Sequence, residues 1–72
     1  MHLDARESRS LEGRAGTGIV AVASGLVQVR VAGQTPAIRH GEVLVAGSER
    51  IEGVRNLGQS EAVLFWIVVS GR

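Results

Sequence analysis

The sequence contains no cysteine, tyrosine or lysine, and only one each of proline, tryptophan, phenylalanine and methionine. Without cysteine no disulfide can brace the fold. Two histidines, His2 and His40, are too few for a structural zinc site. Phe65 and Trp66 are the whole aromatic complement, and both lie in the most apolar segment, so a stacking platform for nucleic-acid bases is absent. Long hydrophobic runs are missing too. The longest, Ala62 to Val69, is far too short to span a bilayer as a helix. The opening Met1-His-Leu-Asp-Ala-Arg-Glu7 is polar and has no apolar centre of the kind a secretory signal needs. These absences predict a soluble cytoplasmic protein with neither membrane nor nucleic acid as a partner.

Length sets a further bound. A chain of 72 residues makes a single domain, 1–72, and a domain of this size buries only about 60% of the surface its unfolded chain exposes. Such a core rarely supplies more than ~3–5 kcal/mol, so small domains lean on disulfides, metals or partner subunits. With the first two disfavoured, association with a second copy is the expected support, and a homodimer is predicted.

The charge balance is almost even, eight basic residues against seven acidic ones. The basic residues are all arginine, spread from Arg6 to Arg72 and alternating with carboxylates. Nucleic-acid binding calls for a clustered basic face, which this distribution does not offer. Arginine's planar fork suits bidentate pairing with carboxylates, so intersubunit or cavity-lining Arg–Glu pairs are expected.

The period of the apolar residues is two. In Leu26-Val-Gln-Val-Arg-Val31, Val27, Val29 and Val31 alternate with Gln28 and Arg30, which predicts a strand with one buried face. Gly18 to Ala23 and Ala62 to Val69 are apolar at every position, the pattern of strands covered on both sides. Glu42 to Ala46 and Arg50 to Asn56 read as two shorter strands. Turn residues separate these runs: Ser24-Gly25 reads as a tight hairpin, and Gly33-Gln-Thr-Pro36, His40-Gly41, Gly47-Ser48 and Leu57-Gly-Gln-Ser60 close the others. Short strands at roughly eight-to-twelve-residue spacing predict an all-β sandwich or barrel. The segment 1–7 reads as an arm, mobile or strand-exchanged.

Taken together, these residues resemble the cupin superfamily of small jelly-roll barrels. The family's second motif, laid on Gly41, puts its proline at Gly47, its second glycine at Glu49, its histidine at Glu52 and its asparagine at Asn56. Gly41 and Asn56 match, and Glu42 supplies the acidic residue common after the first glycine. Upstream, Val20 to Val31 is similar to the segment in which a strand meets a glycine turn and an alternating strand, with Gly25 ending the first motif. That motif's glutamate falls at Gly18 and its two histidines near Glu12 and Arg14. The resemblance therefore implies a cupin-like barrel of about six to eight short antiparallel strands, lacking strands before Glu7, whose metal ligands are gone. No metal or cofactor is expected.

Under this alignment, position parity sets Arg50, Glu52, Val54 and Asn56 on one strand face, looking into the barrel mouth, with Ile51, Gly53 and Arg55 opposite. A carboxylate there must be paired or have its pKa raised. Arg14 is the first candidate partner for Glu52 and Arg50 the second. Asn56 either joins them on a ligand or bonds turn backbone. Phe65 and Trp66 point to opposite faces, one in the core and the other free to line a pocket or interface, where tryptophan is enriched. His40 reads as a solvated turn residue. Neither a nucleophile elbow nor a phosphate-binding glycine pattern is present.

The expected function is non-catalytic: binding of a small polar ligand through Glu52, Arg14, Arg50, Asn56 and Trp66, or action through the oligomer surface. A cupin-type enzyme with a degenerate metal site, isomerase or dioxygenase-like, is one alternative. A structural or assembly protein is the other.

Overall fold

The computed structural model describes residues 1–11, 16–47 and 50–69. Eight strands follow one another: β1 (His2–Leu3), β2 (Ser8–Ser10), β3 (Thr17–Ser24), β4 (Leu26–Val31), β5 (Ala37–Arg39), β6 (Val43–Ala46), β7 (Ile51–Asn56) and β8 (Ala62–Val69). They form two four-stranded antiparallel sheets, β1-β8-β3-β6 and β2-β7-β4-β5, here sheets A and B. Successive strands mostly alternate between the sheets, and the order is that of a jelly roll. One short strand, β1, precedes Glu7, and β1 and β2 have only two and three residues.

Alternation builds the core. Val20 and Val22 of β3, Ala62 and Leu64 of β8, Leu3 of β1 and Ala46 of β6 face inward from sheet A. Opposite them lie Val27, Val29 and Val31 of β4, Ile38 of β5, and Ile51 and Val54 of β7. β4 buries the three valines that its period of two selects. The residues read as an N-terminal arm run along β8 of their own chain: His2 pairs with Val63 and Leu3 with Ala62. The Met1 amino group donates to the Leu64 carbonyl at 2.8 Å.

Two local expectations are corrected. Ser24-Gly25 is not a hairpin, because β3 and β4 belong to different sheets; Gly25, at φ +94°, is the corner where the chain crosses from A to B. The true tight hairpin joins β4 to β5 through Ala32-Gly33, with Val31 and Gln34 exchanging both backbone hydrogen bonds at 2.9 Å. Both central residues have positive φ, the signature of a type I′ turn. Among the described residues no helix is long and apolar enough to cross a membrane.

Candidate functional site

Of the residues assigned to the barrel mouth, the described ones do not gather into one site. The pairing of β4 with β7 runs Val29 to Val54 and Arg30 to Gly53, then jumps to Val31 and Ile51. Glu52 is the extra residue of this β-bulge, so Glu52 and Gly53 together oppose Arg30. The bulge undoes the position parity. Ile51 turns into the core, 2% exposed, and Glu52 turns outward with more than half of its side chain in solvent. Among the described residues its partner is Arg30, not Arg50: Arg30 Nε lies 3.4 Å from Glu52 Oε1. Arg50 is exposed. Arg14 and Glu12 lie outside the described residues.

Asn56 is fully buried and wholly engaged by backbone. Its Nδ2 donates to the carbonyls of Ser60 (2.7 Å), Asp4 (3.1 Å) and Leu3 (3.2 Å), and its Oδ1 accepts from Gly58 N at 2.9 Å. One amide thus ties the β1–β2 turn to the β7–β8 loop and leaves no polar atom for a ligand. Trp66, paired with Val20 across sheet A, points inward and packs against the core from its partly buried position. Phe65 faces out, 56% exposed. His40 is exposed, and His2 Nδ1 stands 3.3 Å from Glu61.

Metal-dependent cupins resemble other non-haem centres in using imidazoles and a carboxylate around an ion. The described residues do not fit such a group. Glu52 stands outside the barrel, Gly18 has no side chain, and no three His, Asp or Glu side chains among the described residues come together. Apolar side chains fill the space between the sheets instead, Ile51 among them.

What the structure does assemble is an apolar outer face on sheet A. Across β6, β3 and β8, Val45, Ile19 and Ile67 form one row and Val43, Ala21 and Phe65 the next, with Val69 beside Thr17. Val43, Val45, Phe65, Ile67 and Val69 are between 50% and 62% exposed. The sequence pattern of strands apolar on both sides is therefore met on one side only. Its signal was present at every second residue of β8, but nothing among the described residues covers that side.

No protein-family model and no curated protein sequence matches this chain. Solved structures do. The chain is similar to the cupin domain of Schizosaccharomyces pombe Cnp3, with a TM-score of 0.76 at 14% identity over 90% of this chain and 48% of that one. It is also similar to a cupin superfamily protein from Desulfitobacterium hafniense, with a TM-score of 0.74 at 16% identity over 96% of this chain and 62% of that one. The chain spans about half to three-fifths of the length of these structures. Its fold is the cupin fold, a small all-β jelly-roll barrel.

Proposed function

We propose that this chain is a non-catalytic association module of cupin fold, in which two copies pack the outer faces of their A sheets against each other. The observation that carries this reading is the row pattern of Val43, Val45, Ile19, Phe65, Ile67 and Val69, which has no charged side chain within it. The five most exposed of its apolar side chains offer on the order of 500 Å² per copy, near the upper end of what a monomer leaves in water. Doubled, this reaches roughly 1,000 Å², the lower bound for a specific interface. A two-fold axis lets one patch serve both partners, and face-to-face sheets interdigitate their side chains readily.

The interface lies on the sheet face and not at the N-terminal edge, where β1 is already paired with β8. Burying the patch also adds to a core that is small for an independent domain. Light scattering on the purified chain tests the reading. It should give twice the chain mass, and Phe65→Glu with Ile67→Lys should halve it while leaving the β-sheet circular dichroism unchanged. A strict monomer at all concentrations would sink the proposal.

A further inference from the structure

The opposite side of the sandwich has a different character. On the outer face of sheet B, Ser8, Arg55 and Gln28 align in one row across β2, β7 and β4, and Ser10, Gly53 and Arg30 in the next. Over Gly53 the surface sinks into an open hollow of about 180 Å³, with Thr35 also in its lining. The missing side chain at Gly53 makes room for Arg30 at the floor of this hollow. A Cβ on Gly53 would fall 2.9 Å from Arg30 Nη2 and 3.1 Å from the Arg9 carbonyl oxygen, so the guanidinium of Arg30 lies directly over the glycine.

Charge is distributed unevenly around this hollow. Arg9 is held by Glu7 at 2.8 Å. Arg30 Nε lies 3.4 Å from Glu52 Oε1, while its Nη2 lies over the glycine floor. Arg55 has no ion pair among the described residues. The hollow thus collects one uncompensated cation, one half-engaged guanidinium and the hydroxyls of Ser8, Ser10 and Thr35. Guanidinium groups pair best with planar or tetrahedral oxygen anions, for which two N–H donors lie parallel.

The geometry points to a binding site for a small oxyanion, a carboxylate or phosphate group, in the hollow over Gly53, with Arg55 and Arg30 as its principal donors and Glu52 as the residue that positions Arg30. This site uses a face opposite the proposed dimer interface and does not depend on it. Exposure to solvent screens such contacts, so affinity in the millimolar range is expected.

Titration of ¹⁵N-labelled chain with inorganic phosphate and, separately, malonate tests the site, with chloride holding ionic strength constant. Saturable amide shifts centred on Gly53, Arg30, Arg55 and Ser10 by either anion support it, and the tighter anion identifies the preferred chemistry. Arg55→Gln, an exposed change that leaves the fold intact, should weaken binding at least tenfold, and Gly53→Ala should do the same where it folds. Phe65→Glu should leave binding unchanged. Linear, unsaturated shifts with both anions, equal shifts at Ile67 on sheet A, or unaltered binding in Arg55→Gln would each overturn the assignment.

Discussion

Gly25 stands against Ala62 with no space for a side chain between them: a Cβ at position 25 would lie 2.8 Å from Ala62 Cβ and 3.2 Å from its Cα. The two residues close the corner where β3 of sheet A becomes β4 of sheet B, two residues after the bulge at Ala23 shifts the β3–β8 register. Gly25 also holds φ at +94°, where an L-residue is strained. Gly25→Ala therefore combines backbone strain with a clash against a fully buried neighbour. It should destabilise the chain by roughly 2–4 kcal/mol, measured as a fall in the urea midpoint. Adding Ala62→Gly should recover only part of the loss, because the dihedral strain remains.

The β4–β5 turn offers the opposite case. Ala32 sits at φ 52° in a type I′ position that favours Asn or Gly. Its side chain is exposed, so nothing is lost by changing it. Ala32→Asn should raise stability by about 0.5–1 kcal/mol, readable as a higher midpoint with an unchanged denaturant slope.

These two turns show where the sequence was legible. β4 and β8 were readable to the residue, because alternation or continuous apolarity over six to eight positions is a strong signal. β1, β2 and β5, with two or three residues each, are too short to carry a period. A glycine after a serine looks alike in a hairpin and in a corner between sheets; only the long-range pairing of β3 with β8 and β4 with β7 separates them. The direction expected of Glu52 is reversed by a local irregularity. Parity is reliable only along an unbroken ladder, and the bulge at Glu52 resets it, so Ile51 fills the place assigned to a carboxylate. Asn56, beyond the bulge, keeps its inward direction.

Asn56 is the one buried polar side chain among the described residues. Removing its amide strands the carbonyls of Leu3, Asp4 and Ser60 and the N–H of Gly58 in places water reaches poorly. Asn56→Ala should destabilise by about 2–4 kcal/mol, and hydrogen exchange should quicken first at Gly58 and Glu7, whose N–H groups bond within the two turns it joins. Asn56→Asp should fare no better, because a carboxylate has no N–H for three carbonyl acceptors.

Glu7 gives the N-terminal turn a pH dependence. Its Oε1 accepts the Asp4 backbone N–H at 2.8 Å and its Oε2 accepts from Arg9 at 2.8 Å. The backbone hydrogen bond first, and then Arg9, hold its pKa below the ordinary glutamate value, against a small opposing effect of desolvation. A carboxyl with a lowered folded-state pKa stabilises fully above its unfolded value and loses that contribution as pH falls through the folded one. The turn Asp4 to Glu7 should hold at neutral pH and loosen in acid, below the range where free glutamate titrates. Following the Asp4 amide shift against pH checks this; in Glu7→Gln the transition should vanish.

If the outer face of sheet A is an interface, stability must depend on protein concentration, because a dimer of folded chains draws the unfolding equilibrium toward the native state by mass action. The melting temperature should climb by several degrees between micromolar and millimolar chain. Phe65→Glu places a charge where the partner's apolar side chains would sit, so it should abolish the concentration dependence. Phe65 is 56% exposed and contributes little to its own chain's core, so the melting temperature of the variant should match that of the dilute parent. Trp66 supplies the control. It packs inward against the core, and Trp66→Ala should lower the melting temperature at every concentration by a similar amount while leaving its slope with concentration intact. A variant at position 65 that melted lower than the dilute parent, with the slope preserved, would place Phe65 in the fold and not at the interface.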